Sequence, residues 1–358
     1  MHFSKIAKVS LAAAAVGLLL AGCSNKTATK GKTSKASIAL VTNNTGVDDH
    51  SFNQSAWQGL KAYGKKHDLR KGPGGYNYFE SSSASDHVPN IESAISAHYH
   101  TIVGVGFELT DAIQSEAKKH PKTNFLMIDN VIKAPNVVSA TFKSQDSSYL
   151  AGVAAAYTTK TNKVGFIGGG HNSVINLFDA GFTQGVKDAA KAQHKKITIY
   201  NTYVGNFTGV DKAKMIAKSM YANGADVVFH AAATAGEGLF QEAKDINQKR
   251  SADHKVWAIG VDSDQSQLGA YKDNKGQKEN FTLTSVMKGV NTVCEDVAER
   301  AYNKKFPGGQ HLVYGLQHKG TYILRGQISA KAWQAVQRAR QQIISGKIKV
   351  PTTPASAK

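Results

Sequence analysis

The chain has 358 residues, of which 41% are hydrophobic and 20% are charged, and its formal net charge at pH 7 is +18. A chain of this length is too long to fold around one ordinary hydrophobic core, so we expect two domains. The composition excludes a disordered chain and a bundle of membrane helices. The positive charge suits either nucleic acid or an anionic cell surface. We favour the surface, because the lysines are scattered and the chain contains no basic-aromatic motif of an RNA or DNA binder.

Residues 1–22 are typical of a secretory signal peptide. Lys5 and Lys8 precede an apolar run, VSLAAAAVGLLLAG, that is too short to span a bilayer comfortably. The sequence LAGC at residues 20–23 resembles the lipobox of bacterial lipoproteins, in which the cysteine carries diacylglycerol. Two acyl chains on Cys23 would anchor the protein stably to the outer face of the cell membrane, as on a Gram-positive surface. The alternative is an ordinary signal peptide followed by a chance cysteine.

Residues 23–36 are predicted to form a flexible tether, because they contain many Lys, Thr and Ser but no aromatic or large aliphatic side chain. Cleavage before Cys23 removes two lysines, which lowers the net charge from +18 to +16. Cys294 is the other of the two cysteines in the sequence and is expected to be buried. With Cys23 lipidated, no disulfide can form.

From residue 37 onward, short apolar runs alternate with amphipathic segments. Helical spacing is clear at Ala56, Trp57, Leu60 and Tyr63, which share one face. This alternation predicts parallel sheets with helices on both faces. In chain order, the predicted strands are SIALVTN, TIVGVGF, NFLMID, VVSATF, KVGFIGG, ITIYNTYVG, ADVVFHAAA, VWAIGVD and FTLTSVM.

An internal repeat supports two units of this kind. A shift of 126 positions aligns Phe52 with Phe178 and the segment QGLK at residues 58–61 with QGVK at residues 184–187. Both copies follow a predicted strand and a loop. The repeat predicts an α/β protein of two similar doubly wound lobes joined by a hinge, although so short a match can also arise by chance.

We predict lobe 1 at residues 37–143 plus 287–317 and lobe 2 at residues 144–286 plus 318–350. The chain would then cross between the lobes near residues 143, 287 and 318. The last helix is predicted to begin after Ser329, which can cap it, and to end before Gly346, which suits the position after a helix.

In open α/β sheets, ligands bind beyond the carboxyl ends of the strands. Two phenyl rings at these positions could enclose a flat ring, and carboxylates, a carboxamide and an ammonium group could bind ring edges and a sugar diol. The alternatives are hydrophobic core for the phenylalanines and helix caps for Asp129 and Asp262. The candidate residues are Asp48, Asp49, Phe52, Asn53, Asp129, Phe207, Gly236, Asp262 and Lys288.

The segments DDHSFNQSAWQGL, FKSQDSSYLAGVAAA, MYANGADVVFHAA and WAIGVDSDQ resemble the basic membrane protein family of lipoproteins. The resemblance runs from about residue 37 to the C-terminal GKIKVP. It implies a type I periplasmic-binding-protein fold and a purine nucleoside receptor that delivers its ligand to the permease and ATPase of an ABC importer. Separately, we expect a two-lobed monomer.

The resemblance also implies roles for the candidate residues. In that family the base lies between two phenylalanines, which by motif are Phe52 and Phe207. Asn53 and Asp129 would lie near the base. Asp262 and Lys288 would hold the ribose hydroxyls, with Asp48 or Asp49 as a weaker candidate in the opening loop.

Some positions depart from the family pattern. Where the family commonly has GGTGNG, this chain has ATAGEG, so that Ala233 and Thr234 replace glycines. Side chains at these positions add bulk and disfavour positive φ where the backbone may approach a ligand. The proline often found before the VI pair of GGGHNSVI is also missing.

The sequence gives little support to an enzyme. It has no G-x-S-x-G elbow, GFIGGG lacks the Lys and Ser/Thr of a P-loop, and VGVGFE lacks the third glycine of a dinucleotide fingerprint. The histidines are scattered, so we expect neither a metal nor a cofactor. A surface protein that senses a sugar or a small signalling molecule without transporting it is the alternative to a nucleoside receptor.

Overall fold

The computed structural model describes residues 37–354, and the side chain of residue 318 is not described. The predicted signal peptide, the tether and Cys23 therefore lie outside the described residues. The strands are β1 (Ile38–Val41), β2 (Tyr76–Phe79), β3 (Thr101–Val105), β4 (Asn124–Ile128), β5 (Val137–Phe142), β6 (Lys163–Gly168), β7 (Thr198–Tyr203), β8 (Val227–Ala231), β9 (Trp257–Asp262), β10 (Ala270–Lys272), β11 (Lys278–Asn280), β12 (Thr282–Lys288), β13 (His311–Tyr314) and β14 (Thr321–Ile323).

The helices alternate with these strands, as the sequence pattern predicts. They are α1 (Phe52–Lys66), α2 (His87–Ser96), α3 (Thr110–Lys119), α4 (Ser144–Thr158), α5 (Ser173–Ala192), α6 (Val210–Ala222), α7 (Glu237–Asn247), α8 (Val290–Tyr302) and α9 (Ala330–Ile344). In the described part of the chain, no helix is long and apolar enough to cross a membrane.

Within residues 37–354, the strands form two six-stranded sheets and one small hairpin of β10 and β11. The first sheet has the order β13-β5-β4-β3-β1-β2, and all of its pairings are parallel. The second has the order β14-β12-β9-β8-β6-β7, with only β14 antiparallel to its neighbour. The predicted α/β class with two parallel sheets is confirmed.

The chain passes between the two sheets after β5, after β12 and after β13. The second passage follows Lys288, the last residue of β12. As a result, α4 follows a strand of the first sheet and packs on α5, while α8 follows a strand of the second sheet and packs on α1. The division into two lobes at the residues given above stays a prediction.

The sequence repeat corresponds to equivalent helix contacts. A Cβ atom on Gly59 of α1 would lie 2.3 Å from the carbonyl oxygen of Asn291 in α8. A Cβ atom on Gly185 of α5 would lie 2.1 Å from the carbonyl oxygen of Tyr149 in α4. Both distances are too short for any side chain, so the repeated glycine lets two helix backbones meet in each half.

The C-terminal helix has the predicted bounds. The Ser329 hydroxyl accepts a hydrogen bond from the backbone N–H of Ala332 at 3.3 Å, and Gly346, with φ 76°, follows the helix. Val336 is buried against the second sheet. Cys294 is buried on α8, as expected, and burial raises the pKa of its thiol.

Candidate ligand-binding site

The carboxyl ends of three strands bring Asp129, Asp262 and Lys288 to one place. The Lys288 ammonium group forms an ion pair with the Asp129 carboxylate, and the two side chains are only 3% and 7% exposed. Because Asp129 follows β4 and Lys288 ends β12, this ion pair connects the two large sheets. Asp129 and Asp262 have φ values of 71° and 63°, a left-handed conformation that aspartate tolerates better than most residues.

The carboxylate of Asp262 lies in an environment that disfavours its charged form. The Ser51 hydroxyl donates a hydrogen bond to this carboxylate at 2.6 Å. Burial raises the pKa of Asp262 to about 6, although the nearby charge of Lys288 opposes the rise. Within residues 37–354, the hydrogen bonds of Asp129 and Asp262 go to these side chains and not to a helix N-terminus, so the helix-cap alternative is not seen.

Aromatic rings line the same cavity. The Lys288 ammonium group lies 4.3 Å from the ring centroid of Phe52, within cation–π range. The rings of Phe107 and Phe207 meet edge to face, with centroids 6.3 Å apart. A Cβ atom on Gly169 would lie 2.4 Å from the Phe207 ring, so this glycine makes room for the ring. Phe52 also packs on the core of the first sheet and Phe207 on the core of the second, so the core alternative holds in part for both.

The structure brings five of the nine predicted site residues together. Residues from both sheets line this cavity with Asn43, Phe107, Glu108 and Phe178, which the sequence reasoning missed. Burial raises the pKa of Glu108, and no hydrogen bond to its carboxylate occurs among the described residues. The five predicted residues are Phe52, Asp129, Phe207, Asp262 and Lys288.

A signal for the missed residues was present in the sequence. Phe107 and Glu108 follow β3, in the segment VGVGFE. The rule that ligands bind beyond strand ends would have selected them. Phe178 is the repeat partner of Phe52, so the repeat itself pointed to a second aromatic residue.

Asp49 and Asn53 lie outside the cavity lining because they stabilise their own loop. The Asp49 carboxylate accepts hydrogen bonds from the backbone N–H groups of Ser51, Asn53 and Gln54 at 2.9, 2.9 and 3.0 Å. It therefore satisfies the N-terminus of α1. The Asn53 side chain donates to Asn43 at 2.7 Å and so holds a residue that does line the cavity.

Two further candidates also lie elsewhere. Asp48 is exposed and is not among the residues that line the cavity. Gly236 is buried under His230, because a Cβ atom on the glycine would lie 1.9 Å from the imidazole Nδ1. Its backbone therefore contacts a buried ring and not the cavity.

The acidic loop before α1 reaches the second sheet. The carbonyl oxygen of His50 accepts hydrogen bonds from the Ser263 hydroxyl at 2.6 Å and from the Gln265 side-chain amide at 3.3 Å. Gln265 also shares a hydrogen bond of 2.9 Å with His230, whose pKa burial lowers to about 4. Together with the Ser51 contact to Asp262, these bonds connect the loop to the end of β9.

The departure from GGTGNG places an alanine, Ala233, in a backbone conformation that favours glycine. This residue lines the cavity with φ 46°, in the left-handed region that favours glycine. The hydroxyl of Thr234 is buried, with no hydrogen-bond partner in the described part of the chain. The alanine therefore keeps the backbone shape of a glycine turn at a cost in strain.

The glycine-rich loop before α5 has its helix amides occupied. The Asn172 side chain accepts hydrogen bonds from the backbone N–H groups of Val174 and Ile175, both at 3.0 Å. Those are the amide groups that a phosphate at this helix end would need. The loop glycines instead accommodate aromatic rings, as Gly169 does for Phe207.

The charge of the cavity lining is opposite to that of the whole protein. The lining contains the carboxylates of Glu108, Asp129 and Asp262 and the ammonium group of Lys288, three negative groups against one positive. The complete sequence has a net charge of +18. Among residues 37–354, no group of three or more His, Cys, Asp or Glu side chains is placed to hold a metal ion.

Residues 35–354 match the model of the Bmp family, described as ABC transporter substrate-binding protein PnrA-like. This chain belongs to the Bmp family. The family consists of substrate-binding proteins and not of enzymes, and such proteins work outside the cytoplasm. The resemblance to basic membrane proteins is therefore confirmed.

Relatives cover almost the whole chain. The ABC transporter nucleoside-binding protein BmpA of Lactococcus lactis subsp. cremoris is 45% identical over 97% of this chain and 99% of its own length. The CD4+ T-cell-stimulating antigen of Listeria monocytogenes is 44% identical over 95% of this chain and 96% of its own length. A solute-binding protein of an ABC transporter system from Aeropyrum pernix has a TM-score of 0.75 at 22% identity, covering 88% of this chain and 93% of its own, which supports the fold alone.

Proposed function

We propose that this Bmp-family protein captures nucleosides, purine nucleosides in particular, and delivers them to the permease and ATPase of an ABC importer. One observation carries the proposal. Side chains from the strand ends of both sheets meet in one cavity, with aromatic rings, carboxylates and one ammonium group in the lining. The name of the Lactococcus relative supports the same ligand class.

The chemistry of the lining fits the parts of a nucleoside. Phe52 and Phe207 supply faces for a planar base. Asp262 and Lys288 supply an acceptor and a donor for the ribose hydroxyls. We place Asp129 beside Lys288 as its partner, so that the ammonium group keeps one carboxylate while it donates to the ligand. Asn53 acts through Asn43, which it holds by a hydrogen bond of 2.7 Å.

The proposal includes a position at the cell surface. Cys23 would carry the lipid anchor, and residues 23–36 would tether a monomeric binding protein to the outer face of the membrane. A Cys23→Ser variant should then appear in the culture medium, whereas the parent protein sediments with membranes. Retention of the variant on membranes would show that another feature holds the protein there.

Two measurements test the ligand class. Small molecules released by denaturing the purified protein are identified by mass spectrometry, and calorimetry then compares inosine, guanosine, uridine and ribose. We expect a released purine nucleoside and an affinity for inosine and guanosine at least about tenfold higher than for uridine. A released sugar, together with undetectable binding of inosine, would overturn the proposal in favour of a sugar receptor.

A further inference from the structure

A second cavity lies apart from the proposed nucleoside site and shares none of its lining residues. Its volume is about 660 Å³, within the usual range for small-molecule sites. Lys143 and Asp146 line it where the chain leaves β5, and Tyr314 lines it at the end of β13. The cavity therefore lies at two of the passages between the sheets.

The Asp146 carboxylate faces this cavity without a partner. The residue is 8% exposed, and in the described part of the chain no side chain or backbone group donates a hydrogen bond to its carboxylate. By contrast, the carboxylate of Asp296 in the same cavity accepts a hydrogen bond from Arg300 Nε at 2.9 Å. The Asp146 oxygens are therefore open to the cavity, where a cation that enters can pair with them.

The Asp146 carboxyl group also shows the electrostatic effect of this burial. Burial raises the pKa of Asp146 to about 6, while the positive charge of Lys143 opposes the rise. Lys143 is exposed and makes no ion pair with Asp146 among residues 37–354. Lys143 therefore does not neutralise the Asp146 carboxylate.

The rest of the lining limits the kind of cation. Leu316 is buried, and Ile343 and Ile344 of α9 are half-buried, so one side of the cavity is apolar. A hydrated metal ion would gain nothing from this surface, whereas an amine with an apolar body would bury it. We propose that this cavity is a second ligand site, for a small organic amine whose ammonium group pairs with Asp146.

Binding of simple amines to the purified protein, without nucleoside, tests the proposal. Saturation-transfer NMR titrations compare n-hexylamine and phenethylamine with the neutral 1-hexanol and 2-phenylethanol. We expect each amine to bind at least about tenfold more tightly than the matching alcohol. Asp146→Asn should abolish that advantage. The variant should keep its inosine affinity, since residue 146 does not line the nucleoside cavity.

Two further variants separate pairing from general electrostatics. Asp296→Asn removes the same charge from the same cavity, but one already paired with Arg300, so amine affinity should stay within about threefold of the parent. Lys143→Gln removes a competing cation and should strengthen amine binding. Weaker binding by Lys143→Gln, or an equal loss in both aspartate variants, would contradict a specific pair with Asp146.

The pH dependence adds an independent readout. Protonation of Asp146 removes its charge, so amine affinity should fall as the pH drops below about 6, and this fall should be absent in Asp146→Asn. Failure of both amines to bind at about 10 mM, or binding that Asp146→Asn leaves unchanged, would overturn the proposal. The other titratable or charged groups in the lining are Lys143, Asp296, Arg300, His311 and Tyr314.

Discussion

The two copies of the internal repeat share their packing but differ in charge. In each copy a glycine, Gly59 or Gly185, lets one helix backbone lie directly against another. In each copy a phenylalanine, Phe52 or Phe178, lines the cavity between the sheets. The repeated residues therefore specify the scaffold and an apolar lining on both sides.

The ends of the repeated helices show the difference. The N-terminus of α1 is satisfied by a buried carboxylate, that of Asp49, whereas the N-terminus of α5 is satisfied by the neutral side chain of Asn172. The charged residues of the cavity, such as Asp262 and Lys288, lie outside the repeated segments. The repeat thus supplies the packing and an apolar lining, whereas the charged groups of the cavity come from residues that the repeat does not share.

The repeated glycines give the largest expected effect. Gly185→Ala should lower the free energy of unfolding by about 3 kcal/mol, because the new methyl group overlaps the Tyr149 carbonyl and the helices must separate. Gly59→Ala should have a similar cost, since its Cβ atom would lie 2.3 Å from the Asn291 carbonyl oxygen. Urea unfolding measures both changes.

The matched controls are Lys187→Ala and Lys61→Ala, at exposed repeat positions on the same two helices. Each should change stability by less than about 0.5 kcal/mol. If either glycine variant is as stable as its lysine control, the two helix contacts are not equivalent in the way described.

The carboxylate of Asp262, which lies outside the repeated segments, should make the stability of the protein depend on pH. The pKa of Asp262 is raised to about 6 in the fold, above its ordinary value of 3.8, so folding favours the protonated form. Its favourable contribution is present below about pH 4 and is lost as the pH rises through 6. Relative to Asp262→Asn, the parent protein should lose on the order of 2 to 3 kcal/mol between pH 4 and 7.

Denaturation at a series of pH values measures this difference. Asp264→Asn, two residues along and exposed, serves as the control and should run parallel to the parent. Parallel curves for the parent and Asp262→Asn would mean that Asp262 is not desolvated as the structure indicates.

Substitution of the two cavity phenylalanines should distinguish a loss of ligand binding from a loss of stability. Phe207→Ala should weaken inosine binding by about 1 to 3 kcal/mol, because one stacking face is lost, while the half-buried ring should contribute less to the fold than the buried ring of Phe52 does. Phe52→Ala should weaken binding and also destabilise the protein, because Phe52 packs on the first core. Calorimetry and thermal unfolding give the two quantities.

Phe207→Tyr keeps the ring and is the control for lost stacking. Parent-like affinity in Phe207→Ala would identify this side chain as part of the second core and remove it from the site.

The buried strands could be predicted from the sequence, because parallel strands that are covered on both faces appear as continuous apolar runs. All nine predicted strands are present. The strands β2, β10, β11, β13 and β14 were missed because they have only three or four residues and lie at the edges of the sheets or in the small hairpin. The rule that ligands bind beyond strand ends likewise selects Asp262 and Lys288, which line the cavity.

Within the acidic loop the sequence was not sufficient. Asp49, Phe52 and Asn53 are neighbours in the chain, yet only Phe52 lines the cavity. Which polar side chain satisfies the helix N-terminus and which faces the ligand depends on the tertiary path of the loop, and sequence spacing does not determine that path.

The smallest expected effect is at the turn ATAGEG, where Ala233 replaces a glycine of the family pattern. Ala233→Gly should stabilise the protein by about 1 kcal/mol, because the left-handed conformation at φ 46° costs an alanine more than a glycine. Thermal unfolding measures the gain. Ala232→Gly, next to it with negative φ, should destabilise the protein instead, and a loss in both variants would mean that Ala233 is not strained.

Competition between a nucleoside and its phosphate tests the central claim most directly, namely that unshared acidic residues select the ligand in a cleft built by the repeat. Labelled inosine is displaced by unlabelled inosine or by its monophosphate, which carries roughly −1.5 to −2 charges near neutrality. With Glu108 and Asp262 unpaired by lysine and the α5 amides capped by Asn172, the monophosphate should compete more than about tenfold more weakly. Displacement within about tenfold of inosine itself, some 1.4 kcal/mol, would contradict the claim.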